Sequence, residues 1–517
     1  MSDTAAEERK WELFRMVDPA FPNWNIFSSY ASMTTALGPV MVATAASKLW
    51  GWRAEIIDEN NYRWKRNGDG LPDHQALQKE NQAVVVGFYC GLTSTIERVW
   101  QLAEFYHQQG VITIAGGWHA HYCPEEMLRH NIDIVVHGDG EEAIQQILRV
   151  VADGGSFESI PGISFLKNNW MVTNGPEMLE ISNLNNLPLP DFGLLRHAHK
   201  IKLYPAGRIK GCEKNCEFCS VKGEPRWANA RHLFETVSWL VDTRGAQSFF
   251  IVDDRLEGDP QGTMEFFQLI AERYGRRLHF TVQVRLEAAK NTELLRIMRK
   301  AGVHIVCIGY ESPIDEDLRA MKKGYSSADM LKWTKIYRSF GFRIHGMFIF
   351  GYPSRDGKKS IELKEMVKRF KRFIRKACFY TIQILHPVPI VGTELRRRLD
   401  SEGRLFPQEL VPWSRYDGSY ACFIPDNMSL RQLQEIPTEL MRWFYSFASF
   451  FRIPLRTIAF PIDLLARGWE RWYYHWYHEV IRYGGHLLIQ RWRKRQKKDN
   501  FLGRLEISAF LAKQKAR

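Results

Sequence analysis

Short apolar runs alternate with helix-length segments along residues 22–150, and the alternation resumes from about 203 to 425. This pattern constrains the fold more than any other feature. Strands separated by helices pair in parallel, and a parallel sheet needs helices on both faces. In the first stretch the expected strands are Asn25–Ser29, Ala54–Asp58, Ala83–Gly87, Val111–Ala115 and Ile132–Val136. Val40–Trp50, Ile96–Gln109 and Glu125–His130 are the expected helices. The predicted fold class is α/β, beginning with a doubly wound, Rossmann-like sheet whose ligand crevice lies beyond the C-terminal strand ends. Those ends carry Asp58–Asn61, Gly87–Gly91, Gly116-Gly117-Trp118-His119 and His137–Glu141.

The second series predicts strands at Ser248–Val252, His279–Gln283, Val303–Ile308, Arg343–Phe350 and Tyr380–Leu385. One more strand before Lys210 would make about six βα units, a partial (β/α)6 barrel with its site at the C-terminal strand ends. A chain of 517 residues needs more than one core. The expected division is an N-terminal extension (1–21), the doubly wound domain (22–150), a connector with one small hairpin (151–200), the barrel (201–425) and a helical, aromatic and basic C-terminal segment (426–517). No uncharged apolar run of about 18 residues predicts a spanning helix. The polar, acidic start lacks the layout of a secretory signal, so a cytoplasmic protein is expected.

Three of the eight cysteines fall within eight residues, in Lys210-Gly-Cys212-Glu-Lys-Asn-Cys216-Glu-Phe218-Cys219. In a reducing compartment such a cluster reads as a metal site rather than a disulfide framework. Three thiolates on one loop can each hold one iron of a [4Fe–4S] cluster, leaving the fourth iron open. S-adenosylmethionine (SAM) can chelate that iron, and a reduced cluster can then cleave it to a 5′-deoxyadenosyl radical. Structural zinc would want four protein ligands, usually as two spaced pairs, and no second pair follows.

The C-x3-C-x2-C spacing is the signature of the radical SAM superfamily, and the surrounding chain resembles it too. Ile251-Val-Asp253-Asp254 resembles the segment that meets the SAM amino group, and Gln283-Val-Arg285 ends a later strand at the mouth. Ile308-Gly-Tyr-Glu311-Ser312 resembles the family's G-x-E-S strand end, and Gly346–Pro353, with Gly351, resembles its glycine-rich strand beside the adenine. His386–Thr393 resembles its P-x-P-x-x-G-T turn. The resemblance implies that Phe218, Asp253, Asp254, Gln283, Arg285, Glu311 and Gly351 surround SAM and the cluster.

The first domain resembles the cobalamin-binding domain of one large subgroup. Leu37-Gly-Pro39, Gly51–Asp58, Gly116–His121 with Pro124-Glu-Glu126, and Asp133–Glu141 carry that resemblance. It implies cobalamin contacts at Gly116, Gly117, His119 and Gly138. The D-x-H-x-x-G motif that supplies a lower cobalt ligand is absent. His119 and His121 are readable either as ligands or as hydrogen-bonded structure.

The resemblance implies a cobalamin-dependent C-methyltransferase with a flavodoxin- or ferredoxin-like reducing partner; cyclisation, rearrangement and tRNA modification are the enzymatic alternatives. An iron–sulfur sensor is the non-enzymatic one. No catalytic acid or base stands out. Residues 441–498 interleave aromatic side chains with arginines, and the chain carries a formal charge of +13. This segment suits a helical cap on the barrel, a membrane interface with a hydrophobic substrate, or nucleic acid, the last being least favoured.

Overall fold

The computed structural model describes residues 11–22, 28–62, 67–68, 70–175, 178–355, 361–462 and 469–506. The chain forms two compact units. One comprises the described residues of Met1–Lys210 together with Arg226–Val252; the other comprises Gly211–Pro225 and the described residues of Asp253–Arg517.

The first unit is built on β1 (Glu12–Asp18), β2 (Trp52–Asp58), β3 (Val85–Tyr89), β4 (Ile112–Gly116), β5 (Ile134–Val136), β6 (Ile163–Lys167) and β7 (Trp170–Asn174). They form one sheet in the order β2-β1-β3-β4-β5-β6-β7. The strands from β2 to β5 are parallel, and the hairpin β6–β7 adds an antiparallel edge. The order reverses between β1 and β3, which makes a switch point where crossover helices leave to opposite faces. Later in the same unit, β8 (Tyr204–Ala206) pairs in parallel with β11 (Ser248–Ile251), and β9 (Ile209–Lys210) pairs with β10 (Arg226–Trp227).

Two expectations need correction here. The first strand was expected at Asn25–Ser29; residues 25–27 lie outside the described residues, and Ser28 and Ser29 open a short helix, Ser28–Ala31. The strand is Glu12–Asp18, inside the stretch expected as an extension, and it lies between β2 and β3, second from one edge of the sheet. It escapes a hydropathy reading because Arg15 interrupts its apolar run while being fully buried. That guanidinium donates to Glu55 at 2.7 Å, Gln78 at 2.7 Å, Tyr106 at 3.1 Å and the carbonyls of Leu77 and Asn81 at 3.2 and 2.6 Å. A buried charge is tolerable only when it is paired and hydrogen-bonded in this way. The second correction is the hairpin expected in a connector, which instead extends the sheet beyond β5.

The second unit carries β12 (His279–Val284), β13 (Val303–Glu311), β14 (Arg343–Ile349) and β15 (Thr381–Leu385), all parallel in that order. Helices Thr292–Lys300, Ser327–Ser339 and Leu363–Ala377 connect them. With β8 and β11, the six strands expected for the second series are all present. The C-terminal region is helical, with Leu430–Phe444, Ala448–Ile458 and Trp469–Asp499. Part of its aromatic content caps the unit: the buried Tyr445 hydroxyl accepts from Ile382 N at 2.9 Å and donates to its carbonyl at 2.7 Å. Among the described residues, no helix is long and apolar enough to cross a membrane.

Candidate cluster loop and cobalamin cavity

The loop Gly211–Pro225 holds Cys212, Cys216 and Cys219, none of them in a disulfide. Gly211 starts it with φ near +90°, and a Cβ there would lie 2.8 Å from the Glu224 carbonyl oxygen, so glycine is required. Its N–H donates to Asp254 Oδ2 at 2.7 Å. Lys222 Nζ donates to the Cys216 carbonyl at 2.8 Å, closing the loop on itself.

Burial pushes the Cys219 thiol above its ordinary pKa, and Cys216 and Cys212 push it the same way. The three sulfurs share one loop and are the donor type an iron–sulfur cluster takes; they do not all lie within 4.8 Å of one another. The protein adds positive charge: Arg285 and Lys323 both interact electrostatically with Cys216. Lys323 lies 5.7 Å from the Phe218 ring centroid and 3.0 Å from Glu311 Oε1. Arg285 donates to Glu287 at 2.8 Å and to the Lys323 carbonyl at 3.4 Å. Glu311 has φ of +59°, a left-handed conformation rare for a side-chain-bearing residue and concentrated at functional sites.

The structure therefore links Phe218, Arg285 and Glu311 through Lys323, which sequence reasoning missed. Asp253 is buried, Asp254 ties down the loop, and Gln283 stands exposed near the end of β12. Gly351 has φ near +79°, and a Cβ there would meet Leu433 Cδ1 at 2.5 Å; in this structure it makes room for a C-terminal helix.

A second missed residue is Glu217, inside the motif itself. Its carboxylate is fully buried and takes Arg398 Nε at 2.8 Å and Nη2 at 3.2 Å, Arg355 at 3.2 Å and the Tyr352 hydroxyl at 2.5 Å. Its N–H donates to the Met321 carbonyl at 3.2 Å, and its carbonyl accepts from Leu395 N at 3.0 Å. One cluster-loop residue is thus held by side chains 135 and 181 positions away.

In the first unit, a cavity of about 170 Å³ opens at the switch point. Gly38, Gly87, Gly116, Gly117, Gly138 and Gly140 line it, with Phe14, Met16 and Tyr89 among the apolar neighbours. At Gly38 and Gly116 a Cβ would meet no protein atom closer than 3.7 and 3.9 Å, so packing does not forbid a side chain; glycine there keeps the space open. At Gly117 and Gly138 the backbone is crowded as well: a Cβ would lie 2.7 Å from Cys90 C and 2.1 Å from the Leu179 carbonyl oxygen. Lys210 borders the cavity and is held by Asp139 at 2.8 Å and Glu141 at 3.0 Å.

This glycine-lined, largely apolar surface fits one part of a flat corrinoid, and the cavity is far smaller than the whole group. Of the four residues the resemblance implies for cobalamin, Gly116, Gly117 and Gly138 line it and His119 does not. The His119 ring is buried, 3.3 Å from Thr93 Oγ1 and 3.3 Å from Glu126 Oε2. With Cys123 it forms a group of nitrogen, sulfur and oxygen donors within 4.8 Å of one another. His121 pairs with His137 at 3.1 Å. Among the described residues no histidine lines the cavity, in keeping with the absent D-x-H-x-x-G motif.

Beside this crevice, Asp18 and Asp58 stand in register at the ends of β1 and β2. Burial and mutual repulsion raise Asp18 well above the usual carboxylate range, and burial raises Asp58 to about 6. A carboxyl whose folded pKa is raised contributes stability fully present below its unfolded value near 3.8 and lost as pH rises through about 6. For Asp58 that loss is about 3 kcal/mol. Asp18→Asn is expected to remove the repulsion and stabilise the unit at pH 7.5 by roughly 1–3 kcal/mol, with little effect at pH 4. Hydrogen exchange of the β1 and β2 amides at both pH values measures this.

Residues 25–148 match the B12 binding domain model, and residues 208–376 match the radical SAM superfamily model. The chain belongs to the radical SAM superfamily, in the branch with an N-terminal B12-binding domain. It is 27% identical over 297 residues to an uncharacterised methyltransferase of Pyrococcus horikoshii, covering 56% of this chain and 62% of that one. It is 23% identical to the bacteriochlorophyllide d C-12(1)-methyltransferase of Chlorobaculum tepidum, over 85% of this chain and 89% of the relative. Its fold resembles the cobalamin-dependent SAM radical enzyme OxsB solved with aqua-cobalamin bound. That likeness has a TM-score of 0.65 and 13% identity, over 93% of this chain and 72% of the other.

Proposed function

We propose that this protein is a cobalamin-dependent radical SAM C-methyltransferase acting on an unactivated carbon of a hydrophobic substrate. The observation that carries the reading is the pairing in one chain of a three-cysteine loop with a glycine-lined cavity at a switch point. When bound, the cluster supplies the electron that cleaves SAM to a 5′-deoxyadenosyl radical, and cobalamin supplies a methyl carrier.

The chain's own groups hold and orient. Cys212, Cys216 and Cys219 would take three irons, and Arg285 and Lys323 place positive charge beside Cys216. Phe218, Glu311 and Lys323 form the side of the site where SAM would sit, and Gly116, Gly117 and Gly138 leave room for a corrinoid edge. We assign residues 22–150 to cobalamin and 201–425 to the radical reaction. A hydrophobic substrate matches the tetrapyrrole-directed relative and the aromatic C-terminal segment. The reading also calls for a flavodoxin- or ferredoxin-like electron donor and contact with a membrane surface from the cytoplasm.

The test is anaerobic reconstitution with iron, sulfide and hydroxocobalamin, followed by incubation with reductant and methyl-deuterated SAM. One corrinoid per chain, 5′-deoxyadenosine, and a trideuteromethyl mass increase in an added lipid or tetrapyrrole extract are expected. A cluster-loaded chain that binds no corrinoid would refute the methyl-carrier reading. Corrinoid and 5′-deoxyadenosine without methyl transfer would point instead to cyclisation or rearrangement.

A further inference from the structure

The helix Ala448–Ile458 presents two apolar sides, and its neighbour covers only one. On the covered side it packs along Trp469–Asp499: Trp472 Nε1 donates to the Arg456 carbonyl at 2.8 Å, and Trp476 Nε1 donates to Thr457 Oγ1 at 3.0 Å. Nearer its start, Phe447 and Phe450 meet Tyr483 with ring centroids 6.2 and 5.2 Å apart. The two helices therefore run antiparallel.

The other side is bare. Phe451, Leu455, Ile458 and Ile462 recur at steps of three or four residues and are exposed by 60% at Phe451 up to 76% at Ile458. At the helical rise this stripe extends for about 17 Å. Scattered exposed leucines need no explanation, but a contiguous row of large aromatic and branched side chains marks a contact surface.

Charge identifies the partner. From Leu440 to Ile462 the chain has three arginines, Arg442, Arg452 and Arg456, and no aspartate or glutamate. Apolar side chains edged by arginine, with no acid among them, suit the boundary between acyl chains and anionic headgroups. Glu479 of the neighbouring helix lies 3.8 Å from Arg452 and offsets one of these charges, so a second copy docked through the same stripe would still bring two net-positive segments together. The contact is lateral, since no described helix can span a bilayer.

We propose that this helix pair seats the protein on an anionic lipid surface, with Phe451, Leu455, Ile458 and Ile462 entering the acyl boundary and Arg452 and Arg456 meeting phosphates. This deepens the functional reading, on which it rests only for the idea that the substrate is drawn from the lipid phase. The surface itself is tested without catalysis.

The experiment is co-sedimentation of the cluster-loaded full chain with vesicles of phosphatidylcholine alone or mixed with phosphatidylglycerol. Binding to the anionic vesicles that weakens with salt is expected. Leu455→Glu with Ile458→Glu is expected to lower binding about tenfold or more, while iron content and 5′-deoxyadenosine formation stay unchanged. Leu455→Ser with Ile458→Ser gives the same direction with less risk to folding. Absence of binding to anionic vesicles, or equal binding by folded variants, overturns the proposal. So does a wild-type dimer in light scattering that the same substitutions abolish. Failure of methyl transfer with vesicle binding intact would instead count against the functional reading alone.

Discussion

Cys219→Ala protein, reconstituted anaerobically, is expected to retain its fold, to lose most of its iron, and to form 5′-deoxyadenosine at least about a thousandfold more slowly. That factor corresponds to about 4 kcal/mol of barrier. With three protein ligands for a four-iron cluster, none is spare: removing one leaves two irons open and the cluster exposed to loss. The other cysteines of this unit are poor replacements. Cys307 is a thiol that burial pushes up to about 12, and Cys422 is raised further by burial and Asp417. Cys378 is exposed, on the left-handed residue that ends a helix. Iron analysis, the cluster absorbance and chromatography of the SAM cleavage products check the result. Full iron content with normal cleavage would remove Cys219 from the ligand set.

The cysteine triplet was legible because its members are sequence neighbours, and nothing distant is needed to see their spacing. The parallel strands were legible where burial on both faces produced an uninterrupted apolar run, as in β3. β1 was not, because its buried Arg15 depends on acceptors from Glu55 to Tyr106 that only the fold assembles. His119 shows where spacing stops informing: its place after a Gly-Gly strand end left both a cofactor contact and hydrogen-bonded structure open, and the fold sets its ring beside Thr93 and Glu126. Lys323 carried no signal, since a lysine after a short helix reads as surface; its burial follows from pairing with Glu311.

Glu217 was hidden for the same reason, and its replacement is expected to have the second-largest effect. In the sequence it is a charged residue between two cysteines, indistinguishable from a solvated loop position. In the structure its carboxylate is the common acceptor for Arg398, Arg355 and Tyr352. Glu217→Gln keeps the shape but turns an amide toward two guanidinium groups, leaving Arg398 with Glu402 at 3.2 Å and Arg355 with Glu394 at 3.0 Å. Breaking a buried pair from one side costs about 3–5 kcal/mol, and these remaining partners hold the loss toward the lower end. Because Glu217 lies between Cys216 and Phe218, that cost falls on the loop that positions the sulfurs. Iron release to a chelator should therefore accelerate in Glu217→Gln, and denaturant unfolding of this unit should shift to lower midpoint. Tyr352→Phe removes one hydrogen bond and leaves both ion pairs, so about 1 kcal/mol is expected. Glu217→Gln combined with Arg398→Met should recover part of the loss, since it removes the more buried of the two cations along with its lost acceptor. If the carboxylate served only bulk stability, iron release would follow unfolding in all three proteins. If it orders the cluster loop, iron leaves Glu217→Gln protein faster than the chain unfolds, and the double variant regains stability without regaining the slow release.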